Sequence, residues 1–255
     1  MLFVPWSEHP LRTTRDLDLL GSEEMDAAKV ERAFRQLLSV VTEPDGLEFN
    51  LDTLKLDPIR RLDGIEGLRV RLEARLGQIR IPLHIDIGFG DSVWPNPAFV
   101  RYPILLNMPQ PRIRAYRREN TIAEKLQAMA RLSAINSRMK DFFDINVLAE
   151  NFSFNGPDLA KAIRVTFSSF GRSLPSETLH AFSEEFASSR EKQTQWAAFL
   201  RRIKYSNPSI TFARIVESIR VFLQPLMVAI SAGDPFDLVW LPGGPWLPEA
   251  RDDQA

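Results

Sequence analysis

The stretch LRVRLEARLGQIRIPLHIDIGFGD, Leu68 to Asp91, constrains the fold more than any other part of the chain. Leu68, Val70, Leu72 and Ala74 alternate with polar neighbours. Ile79, Ile81, Leu83, Ile85 and Ile87 do the same after Gly77-Gln78. Successive strand side chains point to opposite faces, so each run puts its apolar residues on one side. The pattern predicts an antiparallel hairpin turning at Gly77-Gln78 with one buried face.

The neighbouring segments supply what that face would pack against. Ala27 to Val41 places Val30, Phe34, Leu37, Leu38 and Val41 at helical spacing, and Glu48 to Leu56 reads as extended. Earlier still, TTRDLDLLG (Thr13 to Gly21) puts Asp16 and Asp18 on one strand face and Leu17 and Leu19 on the other. Two converging carboxylates repel unless a cation sits between them. Mg²⁺ suits such a site, because it takes hard oxygen ligands and shares them with phosphates. A half-exposed strand whose aspartates meet Arg12 and Arg15 fits the same spacing. A third acid, Asp86, lies between Ile85 and Ile87 and shares a face with His84. A D-x-D strand followed by a later acid centred in an apolar strand is the carboxylate pattern of nucleotidyltransferase palms.

Pro95, Pro97, Pro103, Pro109 and Pro111 mark loops and short edge segments. Arg112, Arg114, Arg117 and Arg118 crowd the same region, as a solvated connector or a contact to phosphates. From about Asn120 the pattern is helical. Thr121 and Glu124 have capping-box spacing, and Ile122, Leu126 and Met129 form a stripe. Further helices are predicted over Arg138–Glu150, Asp158–Phe170, Glu177–Ser189, Glu191–Ile203 and Ile210–Ile230, the last interrupted near Pro225. The tail from Gly233 reads as irregular.

Lys125 sits beside the apolar stripe of its helix. It either snorkels to solvent or presents a point charge to a phosphate. In SRMKDFFDI, Ser137, Lys140, Asp141 and Asp144 form a polar stripe opposite Phe142 and Phe143. A solvated face with a Lys140–Asp144 pair fits that spacing, as does a functional cluster.

Composition removes some classes. With no cysteine there are no disulfides or thiolate metal sites, which fits a reducing cytoplasm. A net charge of −1 does not announce a nucleic-acid binder in bulk. No apolar run approaches the ~20 residues of a membrane span, and MLFVPWSEHP lacks the features of a signal peptide.

Taken together, "MLFVPW…RTTRDLDLLG", the hairpin stretch, "ENTIAEKLQAMARL" and "SRMKDFFDI" resemble the AbiEii/AbiGii toxin family of nucleotidyltransferases. "QWAAFLRR" and "WLPGGPW" add to the likeness. The resemblance implies an α+β fold: a polymerase-β-like core of mixed sheet and helices, residues 1–118, then a helical C-terminal domain, residues 119–255. It implies the toxin of a bacterial toxin–antitoxin or phage-defence pair, cytoplasmic and not membrane-bound, with a cognate antitoxin. The implied chemistry is Mg²⁺-dependent nucleotidyl transfer from an NTP to an acceptor such as tRNA. Position by position, Asp16, Asp18, Lys125 and Asp141 are the implied catalytic residues. Asp16, Asp18 and Asp86 are the metal set, and Lys125 and Asp144 contact the nucleotide. Lys125 and Asp141 are then expected to face the cleft across from the D-x-D strand, and Lys125→Ala to abolish the toxicity of a full-length form with thermal stability nearly unchanged.

One departure stands out. The family's G-S or G-G motif, whose helix start cradles the triphosphate, lies upstream of the segment matching MLFVPW and is not in this chain. Gly21-Ser22 follows the D-x-D and cannot replace it. A late start codon or a truncated copy is expected, and this chain alone should be a poor enzyme. The competing readings are a non-catalytic remnant that binds RNA or a partner, and a metal nuclease or phosphatase.

Overall fold

The computed structural model describes residues 6, 17–21, 26–42, 44–60, 66–89, 92–104, 107–175, 177–205, 207 and 209–249. The chain forms two compact units that part between Asp91 and Ser92.

Among the described residues, the first unit is a four-stranded mixed sheet with one helix. β1 (Leu17–Gly21) pairs in parallel with β4 (Ile79–Phe89). β4 pairs antiparallel with β3 (Glu66–Leu76), and β3 with β2 (Leu47–Arg60). The predicted hairpin is β3–β4, and it turns where expected: Gly77 has φ 58°, which glycine adopts without a Cβ penalty. One face carries Leu54, Val70, Leu72 and Ile87 in a buried cluster with Val30 of α1 (Ala27–Leu38). Phe34 and Leu38, a turn or two further along α1, pack at its margin. Asp26 caps α1 by accepting from the Lys29 N–H at 2.8 Å. At Gly67 an added Cβ would lie 2.8 Å from the Ile87 carbonyl oxygen, so the β3–β4 approach there requires glycine.

From Ser92 onward the second unit has a short hairpin, β5 (Ala98–Arg101) and β6 (Arg112–Ala115), and then turns helical. Its helices are α2 (Arg118–Leu132), α3 (Met139–Asn151), α4 (Gly156–Ser169), α5 (Glu184–Ser188), α6 (Arg190–Arg202) and α7 (Phe212–Ala232). Their apolar stripes meet in one core. Phe142 of α3 packs on Phe186 and Phe212, and Phe143 on Phe199 and Tyr205.

Four expectations change in detail. The α2 cap is one turn earlier than Thr121/Glu124: Asn120 Oδ1 accepts from the Arg117 N–H at 2.9 Å. The Glu177–Ser189 helix resolves into a 3₁₀ turn, His180–Phe182, and α5, because Ser183 caps α5 by accepting from the Phe186 N–H. Pro225 does not interrupt α7. An interior proline costs about 3 kcal/mol or more, and here Phe222, Leu223, Leu226 and Met227 are fully buried around it. The tail is ordered rather than irregular: β8 (Leu238–Trp240) and β9 (Trp246–Pro248) form a small sheet with β7 (Phe154–Asn155). Trp240 donates to the Ala149 carbonyl and Trp246 to the Phe222 carbonyl, each at 2.7 Å.

α7 also corrects the expectation about apolar runs. Its 21 residues are long and apolar enough to cross a membrane by length and composition. Its Phe212, Ile215, Ile219 and Phe222 are buried in the helical unit, the place of a core helix.

Candidate functional site

The polar residues gather in two places, one in each unit.

In the first unit they line the sheet face opposite α1. Register places Asp18 beside Asp86, Asp86 beside Arg69, and Arg69 beside Asp57. In-register neighbours on adjacent strands point the same way, about 4.8 Å apart. Asp18 and Asp86 therefore share the polar face, as strand parity predicts. Asp16 lies outside the described residues, so its part in the pair is not placed. Asp18 is exposed. Asp86 is held by Arg69 through two parallel bonds, Nε to Oδ1 and Nη2 to Oδ2, each 2.7 Å. Such a fork fixes the carboxylate plane and leaves lone pairs on both oxygens. Arg71 makes a 2.6 Å ion pair with Asp57 on the same face.

Sequence reading missed the Arg69 clamp, yet its signal was present. Counting outward equally from the Gly77-Gln78 turn pairs Arg69 with Asp86.

Among the described residues, no group of three or more acids and histidines converges to hold a metal. Asp18 and Asp86 nonetheless supply adjacent hard-oxygen donors on an open polar face, chemistry that suits Mg²⁺.

In the second unit, Lys125 of α2 reaches two aspartates of α3. Its Nζ lies 2.8 Å from Asp141 Oδ1 and 2.7 Å from Asp144 Oδ2. Arg138, one turn before Asp141, makes a 2.7 Å ion pair from Nε to Asp141 Oδ2. Two cations and two anions balance. Both aspartate side chains are only 1% exposed, and Lys125 is 15% exposed. Burial alone would lower the lysine pKa. Asp144 and Asp141 outweigh that through charge and hydrogen bonding, and the ammonium is held above its ordinary value.

This geometry replaces both simple expectations. The acids of SRMKDFFDI are not a solvated stripe with a Lys140–Asp144 pair, and Lys125 does not snorkel to open water. Lys125, Asp141 and Asp144 come together in one ion-paired cluster, and Arg138 joins them unforeseen. Its i,i+3 spacing to Asp141 was the available signal.

No protein of curated function matches the chain significantly. Two solved structures align over most of its length. A candidate nucleotidyltransferase from H. pylori covers 88% of this chain and 83% of its own, at 14% identity and TM-score 0.40. JHP933 from Helicobacter pylori covers 87% and 79%, at 16% identity and TM-score 0.42. The sequence profile described as "Nucleotidyl transferase AbiEii toxin, Type IV TA system" matches residues 8–218. That match runs from before β1 into α7 and takes in both polar clusters, so the chain belongs to the AbiEii family of nucleotidyl transferase toxins.

Proposed function

We propose that this protein is the toxin of a type IV toxin–antitoxin pair and transfers a nucleotidyl group from an NTP to an RNA acceptor such as tRNA. The observation that carries this reading is the in-register pair Asp18 and Asp86 on the polar sheet face, within a chain of the AbiEii family. In this reading Asp18 and Asp86, with Asp16, hold Mg²⁺. The ion, when bound, neutralises triphosphate charge and orients the phosphates for displacement. Arg69 presents Asp86 in a fixed plane. Lys125, Asp141 and Asp144 serve the nucleotide, and Arg138 holds Asp141 in place through its ion pair. The catalytic core is then residues 1–118, and residues 119–255 carry the Lys and Asp motifs, a functional division distinct from the compact units. A cytoplasmic site of action, a role in phage defence and neutralisation by a cognate antitoxin belong to the same proposal.

A second reading is a non-catalytic chain that keeps the fold and binds RNA or a partner. The closed quartet favours it. With both carboxylates engaged on Nζ, Lys125 has no uncompensated charge to give a phosphate.

Incubation with each labelled NTP, Mg²⁺ and total RNA tests the proposal. Label on an RNA species supports transfer. Unlabelled RNA with every nucleotide favours the second reading.

A further inference from the structure

The β5–β6 hairpin carries a charge pattern that neither the fold nor the transfer chemistry explains. Between Asp91 and Glu119 the sequence has five arginines and no acidic residue, in a chain of net charge −1. Three of them share one face of the hairpin. Arg101 lies directly opposite Arg112, and Phe99 opposite Arg114. Phe99, Arg101, Arg112 and Arg114 are all exposed, while Ala98, Val100, Ile113 and Ala115 alternate inward. Like charges placed directly opposite each other destabilise a strand pair. No carboxylate among the described residues pairs with any of the three arginines. Phe99 is 63% exposed, and the Arg112 guanidinium lies 4.8 Å from its ring centroid. Just beyond β6, Arg117 adds another exposed cation.

An uncompensated arginine row beside an open aromatic ring suits a ligand with regularly spaced anions and flat apolar faces. Arginine reads phosphate by its planar fork, and a base stacks on phenylalanine or on guanidinium. An acidic peptide would satisfy the charges but leave Phe99 unused. A membrane would need a larger apolar insertion than one ring.

We propose that the exposed face of the β5–β6 hairpin, Phe99, Arg101, Arg112 and Arg114, binds single-stranded nucleic acid, phosphates on the arginines and a base on Phe99. The surface deepens the transfer reading by giving the acceptor strand a place to dock. Its binding chemistry needs neither NTP nor metal, so the two claims fail separately.

The test is fluorescence anisotropy of the full chain with a labelled single-stranded RNA 20-mer and the matching DNA, without NTP or Mg²⁺, over a salt series. Binding should weaken linearly in log–log form with salt. Replacing Arg101, Arg112 and Arg114 together by Gln should weaken it at least tenfold and flatten the salt slope by about 2, at about 0.7 per phosphate contact on single strands. The triple Lys variant should keep most of the slope. Phe99→Ala should weaken binding several-fold with the slope intact. Thermal melts of each variant check that the fold is kept. A preference for RNA or for DNA identifies the strand the surface meets. Absence of binding to both, or binding unchanged by the Gln variant, would overturn the proposal even if nucleotidyl transfer is observed.

Discussion

Lys125 on α2 and Asp141 on α3 are joined by a 2.8 Å ion pair whose aspartate is almost wholly out of water. Residues sixteen apart in sequence thereby tie two helices at their shared face, and Asp144 and Arg138 close the set. Neutralising one member strands charge in a poorly hydrated place. Breaking a buried pair on one side costs about 3–5 kcal/mol. Asp141→Asn and Lys125→Ala should each lower the unfolding free energy by about that much, in contrast to the near-neutral effect that the sequence suggested for Lys125→Ala. Urea unfolding of the singles and the double checks this. The double should cost clearly less than the sum, and strict additivity would mean the pair is not coupled.

The same quartet sets an alkaline limit. The Lys125 pKa is raised above the ordinary lysine value of 10.5 by the charges and hydrogen bonds of Asp144 and Asp141, against the lowering effect of burial. Below 10.5 the lysine is protonated in both folded and unfolded chains, so its contribution is complete and flat with pH. As pH rises past 10.5 toward the folded value, the unfolded chain loses the proton first and the stabilisation fades. Unfolding free energy should therefore drop above about pH 10.5 in the parent and drop less in Lys125→Met. Parallel curves for the two proteins would exclude Lys125 as the cause.

The tail sheet rests on a glycine. An added Cβ at Gly156 would lie 2.6 Å from the Leu238 carbonyl oxygen and meet that of Phe236 as well. Neither backbone atom can yield without moving the strand paired with β7. Gly156→Ala should cost about 1–3 kcal/mol and perturb the near-ultraviolet signal of Trp240 and Trp246, which pack on each other and on Phe222. An unchanged melt and spectrum would show that the tail docks differently.

These elements differ in how openly the sequence announced them. The β3–β4 hairpin was legible because alternation and a two-residue turn fix register together. Once register is known, the shared face of Asp18 and Asp86 follows from parity. The buried quartet was not legible from helical spacing. Asp141 and Asp144 look polar on a wheel, and only the approach of α2 to α3 converts a polar stripe into a buried one. The uninterrupted α7 and the tail sheet were hidden for a related reason. In both, tertiary packing outweighs the local signal of Pro225 or of strands two or three residues long.

The Arg69–Asp86 fork should matter to function more than to stability. Its side chains are 49% and 31% exposed, and pairs at such sites are worth about 0–1 kcal/mol. Asp86→Asn should melt within a few degrees of the parent. A large loss of stability would instead make this face structural.

The decisive measurement is nucleotidyl transfer by the parent, Asp18→Asn and Asp86→Asn proteins, read as label moving from an NTP to RNA with Mg²⁺ present. Labelling by the parent should be slow and depend on Mg²⁺, and it should fall at least a hundredfold in both variants while their melts match the parent. Labelling by Asp18→Asn at the parent rate, or no labelling by any of the three, would contradict the transfer proposal.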